Sequence, residues 1–501
     1  MKRPIMYQDL YFLPKREILN EVKELSSVVS EKRFNEISDR IFSSYFHYSH
    51  ESTIESLTIN GMSKIFFEII HFCFEKESYT TKKIRPPSNL TFSDNFFRNS
   101  RAIHMHGLKK KLFHVLRWIY RNRTLICSPQ NWFKRKIFCA EYPYSFADDF
   151  VLEKNLSIIY LEKELMYRKP SHSKPSDHCK QVFSAIVTQV NNLRIELSTE
   201  EVQQMESLWN EFYNYVFNYI LRSHQICRLL GAKNFVGQSV GNIEARAIGL
   251  SMRLINNGKF YGFGHAHDIG IGITIADNVT AQILNPITEF LTPSHFMKKL
   301  VINLSKTTPN LNERLKISTY KQSKLSFKQL EFKDKSVKKV FIYEHGLIER
   351  RFKGDCLHWP YQINLIQQLS DTFLKNKKQR QYSVALKGNP SHLELTHRFY
   401  EGFFDEIVET KFEDVVEEAD LLIFPHIIST SSLIPALASS CYIIIFEEVL
   451  THCWQSVAPL LRERCMILTS SRNQDDSIRY DEEELLSLID SPKPFTTWSH
   501  F

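Results

Sequence analysis

The stretch KFYGFGHAHDIGIGI (259–273) sets His265, His267 and Asp268 within four residues, directly behind a strand-like aromatic run. An imidazole titrating near neutrality and held by a carboxylate can take a proton from an acceptor hydroxyl. These three are therefore the candidate catalytic group. A plainer use is open to the same residues: a histidine satisfying a backbone group while Asp268 caps a turn. Gly262, Gly264, Gly270 and Gly272 favour catalysis, because glycine lets the backbone approach a ligand closely. The chain has only 15 glycines in 501 residues, so four in this stretch is a concentration.

Three further clusters could handle phosphate. In LKGNPSH, Lys387 can neutralise a phosphate while Asn389, Ser391 and His392 donate hydrogen bonds to its oxygens; a simple turn has the same composition. In FPHIISTSSLIPALAS, Ser429, Thr430, Ser431 and Ser432 precede a helix. The first-turn amides of such a helix bind phosphate oxygens, and one serine can cap it without using up the others. Glu447 and Glu448 follow the next strand and can hold ribose hydroxyls or remain solvated acids. In YEHGLIERR, Glu344 and His345 precede Arg350 and Arg351, candidates for a diphosphate or for surface ion pairs. The nine cysteines are scattered without a CxxC, which argues against zinc and for a reduced, intracellular chain.

All these residues fall at the ends of apolar runs. In open parallel sheets, ligands lie beyond the carboxyl ends of the strands, where loops converge without breaking the ladder. From about residue 181 the pattern is α/β. A capping-box sequence at Ser198–Glu201 opens a long amphipathic helix. There follow a strand NFVGQS, a helix NIEARAIGLSMRLINNG and the strand KFYGFGHA. Beyond residue 335, strands VKKVFIY, RQYSVALK, DEIVET, DLLIFP and CYIIIFEE alternate with helices YQINLIQQLSDTFLKN, HLELTHRFYEGFFD, FEDVVEEA and LIPALAS. Runs such as LLIF and YIIIF suit a sheet covered on both faces. The fold expected is α/β, two doubly wound Rossmann-like domains facing a cleft, with an N-terminal helical and aromatic extension. Polar stretches at 167–180 and 304–316 mark the breaks. The latter divides residues 1–310 from 311–501.

The length excludes a single core, and no run approaches the roughly 18 apolar residues of a membrane span. The N-terminus has a basic start but no apolar run behind it, so no signal peptide is read. The net charge is +8, and its placement says more than its size. Between Asp94 and Glu141 no acidic residue occurs, while Lys109, Lys110, Lys111, Arg117, Arg121 and Arg123 cluster with Trp118 and Tyr120. LKKKLFHVLRWIYRNR reads as a basic amphipathic helix with Leu112, Leu116, Ile119 and Tyr120 on one side. Such a segment is either a solvated helix on an aromatic core or a surface for anionic lipid or a phosphate-bearing acceptor. Nucleic acid is disfavoured, since no recognised module accompanies the local charge.

Taken in order, the landmarks over residues 230–450 resemble the two-domain, GT-B type glycosyltransferases of bacterial surface and capsular polysaccharide synthesis, and the related CDP-glycerol glycerophosphotransferases. Those families have an Ala/Arg-rich helix and a strand ending in His-Gly, here NIEARAIGLSMRLINNGKFYGFGHA. They have a basic residue before His-Pro, here LKGNP, and an Asp-led strand before a serine-rich helix start, here ADLLIFPHIISTSSLIPAL. Ala266 stands in place of the glycine and Asn389 in place of the second histidine. The resemblance implies transfer of a sugar, or a polyol phosphate, from a nucleotide-activated donor to a glycan or lipid-linked acceptor, with no separate cofactor. Lys387, the 429–432 hydroxyls and the helix behind them would cradle the nucleotide diphosphate. No Asp-x-Asp occurs, so metal-independent chemistry is expected. The implied location is cytoplasmic, on the inner face of the membrane.

Overall fold

The computed structural model describes residues 31–49, 53–81, 115–120, 122, 127–128, 130, 135–139, 150, 153–161, 176–237, 243–263, 284–292, 295–306, 314–320, 336–344, 359–390, 392–425, 432–447, 459, 461–472 and 478–493. The chain divides into two compact units, one over Arg33–His265 and Asp277–Ser326, the other centred on Phe327–Phe501.

The first unit opens with helices α1 (Glu31–Ser49), α2 (Ile54–Gly61) and α3 (Ser63–Thr81). Strands β1 (Arg135–Cys139) and β2 (Leu156–Tyr160) follow, then α4 (Asp177–Asn192), α5 (Thr199–Leu229), β3 (Asn234–Gly237), α6 (Ile243–Ser251), β4 (Lys259–Gly262), β5 (Glu289–Thr292), α7 (His295–Lys306) and β6 (Lys316–Thr319). The six strands form one sheet in the order β2-β1-β3-β4-β5-β6, and every pairing is parallel. The sheet thus begins inside the basic stretch, at Arg135, well before residue 181. Its last strand, β6, lies beyond residue 310, with the polar residues before it connecting α7 to β6.

Helix α5 begins where expected: the Ser198 hydroxyl accepts from the Glu201 amide at 3.2 Å, and the Ser198 amide donates to Glu201 Oε2 at 2.6 Å. Its buried residues Met205, Trp209, Phe212, Val216, Ile220 and Cys227 recur at helical spacing. Trp209 joins Phe42, Tyr45 and Phe66 of α1 and α3 in edge and stacked contacts, so the N-terminal helices are part of this core. Helix α6 is buried on every side. It sits so close to β4 that a Cβ at Gly249 would come within 2.3 Å of the Phe260 ring.

The second unit runs β7 (Lys339–Tyr343), α8 (Trp359–Lys375), β8 (Ser383–Lys387), α9 (Leu393–Tyr400), β9 (Glu406–Val408), α10 (Phe412–Val415), β10 (Leu421–Phe424), α11 (Leu433–Leu437), β11 (Tyr442–Glu447), β12 (Met466–Arg472), β13 (Ile478–Tyr480) and α12 (Glu482–Asp490). The sheet order is β13-β12-β11-β10-β7-β8-β9, with only β13 antiparallel. The uninterrupted apolar runs of β10 and β11 are buried along their length, as burial on both faces requires. Val340, Ile342, Leu386, Ile423, Ile444 and Phe399 belong to the core they share.

Candidate functional site

The second sheet reverses direction between β7 and β10. From β7 the chain winds outward through β8 to β9; from β10 it winds the other way through β11 to β12. This is the order of a dinucleotide-type doubly wound sheet, and the loops that part at such a reversal open a crevice at the strands' carboxyl ends. Aromatic rings pack together at the strand ends there. The Tyr343 ring, at the end of β7, stacks on Phe424, at the end of β10, with centroids 5.3 Å apart, and meets Phe412 edge-on at 5.6 Å.

Glu344 follows β7 directly and is buried. Its amide donates to the Lys387 carbonyl at 3.1 Å, continuing the ladder past the strand. Its Oε2 accepts from the Asn389 amide at 3.0 Å and from the Thr396 hydroxyl at 2.7 Å. Its Oε1 lies 3.8 Å from His392 Nε2. One carboxyl group therefore ties the end of β7 to the loop after β8 and to α9. The loop turns on the His392 amide, which donates to the Asn389 carbonyl at 3.1 Å, and the His392 carbonyl accepts the first bonds of α9 from Leu395 and Thr396. Gly388 permits this closeness, since a Cβ there would lie 2.8 Å from Leu393 Cδ2.

Burial dominates the electrostatics. It pushes Glu344 up to about 7, against the bonds from Thr396 and Asn389 and the charge of Lys387. It pushes His392 down to about 4, so the imidazole is neutral at physiological pH. The Tyr400 phenol is raised well above its ordinary value by burial and by Glu344.

Lys387, Asn389 and His392 are thus brought together around Glu344. Lys387 is buried, and its ammonium donates to the Gly388 carbonyl. Ser432 stands across the reversal, at the end of the loop after β10; its carbonyl accepts from the Ala436 amide at 3.1 Å and opens α11. That helix has five residues, so its dipole is short. Glu447 ends β11, where the Arg462 guanidinium binds both its carboxylate oxygens at 2.9 and 3.1 Å. Ser429, Thr430, Ser431 and Arg350 lie outside the described residues, as do His265, His267 and Asp268 behind β4. Gly262, just before them, has a packing reason to lack a side chain: a Cβ would lie 2.2 Å from Ile287 Cδ1. Arg246 of the Ala/Arg-rich helix is likewise structural. It is buried and donates to the Asn60 carbonyl, Asn60 Oδ1 and the Tyr45 hydroxyl at 2.7 to 2.9 Å.

In the sequence Glu344 stands out only as a neighbour of Arg350, and Thr396 and Tyr400 do not stand out at all. The available signal was a carboxylate placed directly after the apolar run VFIY, where a strand end is still enclosed. Among the described residues no group of three His, Cys, Asp or Glu is placed to hold a metal ion.

No protein-family model and no curated protein matches the chain. Solved structures that align with it include the Staphylococcus aureus MnaA–UDP complex (11% identity, 71% of this chain and 88% of that one, TM-score 0.38). The UDP-GlcNAc 2-epimerase of Neisseria meningitidis bound to UDP-GlcNAc aligns at 12% identity over 71% and 92%, with a TM-score of 0.37. The glycotransferase of kitacinnamycin aligns at 8% over 72% and 91%, also at 0.37. Likenesses at this level leave the chemistry to the residues themselves.

Proposed function

We propose that this protein is a glycosyltransferase that holds a nucleotide-activated sugar at the carboxyl end of its second sheet and moves the sugar to a glycan or lipid-linked acceptor. The observation that supports it most is the strand reversal between β7 and β10, flanked by the Lys387–His392 loop on one side and the hydroxyl-rich loop ending at Ser432 on the other. In this reading Asn389, His392, Ser429, Thr430, Ser431 and Ser432 donate to the diphosphate, with Arg350 and Lys387 supplying charge and Glu447 within the ribose region. Glu344 is a positioning residue that fixes the 388–392 loop. The new glycosidic C–O bond forms as the anomeric C–O bond to phosphate breaks. The acceptor proton passes to His265, supported by His267 and Asp268, and the nucleoside diphosphate leaves.

The partner surface is an anionic membrane. Residues 115–120 are helical, and Leu116, Ile119 and Tyr120 of the expected apolar side are exposed at 56%, 44% and 62%. With Arg117 and the neighbouring lysines and arginines, they suit shallow insertion among acidic headgroups.

A non-catalytic binding protein is the second reading, and the burial of Lys387 against its own loop carbonyl favours it. Nucleotide sugars and CDP-linked polyols, each labelled in the transferable group, separate the cases when offered with a lipid-linked acceptor extract. Transfer from a nucleotide sugar supports the proposal, and transfer from CDP-polyols alone replaces the donor. Binding without turnover supports the second reading, and absence of any nucleotide binding overturns the site.

A further inference from the structure

The first sheet carries a second polar pocket at its other end. Arg253, Ile255, Asn256, Asn257, Gly258, Thr288 and Arg314 are among its lining, and its volume is about 370 Å³. These residues precede β4, β5 and β6, so the pocket opens at the strands' amino ends. The turn that shapes it is fixed: Asn257 has φ of +59°, and a Cβ at Gly258 would lie 2.0 Å from the Met252 carbonyl oxygen. Thr288 spends its hydroxyl bracing β4, accepting from the Phe260 amide at 2.8 Å and donating to the Phe260 carbonyl at 3.0 Å.

Two guanidinium groups share this pocket. Nε and Nη1 of Arg314 are buried and have no hydrogen-bond partner, and among the described residues no carboxylate pairs with it. Glu289, at the start of β5, is occupied by Lys259, Lys316 and Ser318. Burial lowers Arg253 to about 10, and the Arg314 charge adds to the effect. A concave positive site focuses potential on an incoming anion. A guanidinium donates charge-assisted hydrogen bonds to phosphate oxygens, and Arg314 would do so through Nη2, since its Nε and Nη1 are closed off. The space exceeds that of a bare ion, and the asparagines offer donors and acceptors to a polar carrier group.

We propose that this pocket is a binding site for a phosphate-bearing ligand, gripped by Arg253 and Arg314 and distinct from the donor crevice of the second sheet. The ligand is either a free phosphorylated small molecule or the headgroup of an acidic phospholipid, and the recognising chemistry is the same.

Calorimetric titration of the whole protein with inorganic phosphate, at constant ionic strength set with chloride, tests it. One saturable phosphate per chain is expected, weakened about tenfold or more in Arg314→Gln and in Arg253→Gln, the loss of a charge-assisted pair. Lys316→Gln, nearby but paired to Glu289, should bind as the wild type does. In case the arginine variants do not fold, hydrogen exchange on the wild type gives a second reading: phosphate should protect amides of 253–258 and 287–288. Vesicles of phosphatidic acid in phosphatidylcholine separate the sources. Protection by vesicles alone assigns the lipid headgroup, and protection by phosphate in solution assigns a free ligand. Protection by neither, or phosphate binding unchanged in Arg314→Gln, overturns the proposal.

Discussion

A carboxyl group sealed at the end of a strand must settle between a proton and a charge, and Glu344 meets that choice near neutral pH. Its folded value of about 7 stands above its ordinary 4.5, so between those limits the folded state holds more protons than the unfolded one. Its contribution to stability is therefore full below about 4.5 and is lost as pH rises through 7. His392 runs the other way: lowered from 6.5 to about 4, it contributes above 6.5 and loses that contribution as pH falls through 4. Over the shared window the two slopes, each at most about 1.4 kcal/mol per pH unit, oppose one another. In chemical denaturation across pH 4 to 7.5, Glu344→Gln should show stability rising with pH, and His392→Asn should show it falling. Wild-type slope in both variants would mean that neither group is buried as described. Gly388→Ala should lose about 1–3 kcal/mol through overpacking against Leu393. A neutral result in thermal unfolding would show a looser loop.

At the scale of elements, the cap of α5 and the helix at 115–120 make separate claims. Ser198→Ala removes one half of a capping box and should cost about 1 kcal/mol in denaturant titration. The double change Leu116→Gln with Ile119→Gln should leave thermal stability unchanged, because both side chains face solvent. It should also release the protein from vesicles rich in anionic lipid; undiminished co-sedimentation would return that helix to an ordinary surface. The elements differ in how far they can be read from sequence. β7, β8, β10 and β11 are legible because a strand enclosed on both faces must be apolar throughout. β1 is not, since RKIFC continues a basic run, and β6 is not, since KIST has no apolar majority and only four residues. The strand ends that gather Lys387, Asn389 and His392 are likewise legible. Their enclosure is not, because Glu344, around which they gather, lies 45 residues before Asn389 in the chain.

For the whole molecule, two parallel sheets in one chain supply two carboxyl edges. The dinucleotide-type order of the second makes its reversal the proposed place for a nucleotide. A ligand bound only by the folded state stabilises it by about 2.7 kcal/mol at a hundred times its Kd, so the correct nucleotide should raise the thermal midpoint and the wrong ones should not. The decisive measurement is hydrogen exchange on the wild-type protein with uridine, cytidine and guanosine diphosphates in turn. One of them should slow exchange in peptides covering residues 344–350, 388–392 and 425–433. No protection by any nucleotide, or protection that leaves those three segments untouched, would contradict a donor site at the β7–β10 reversal.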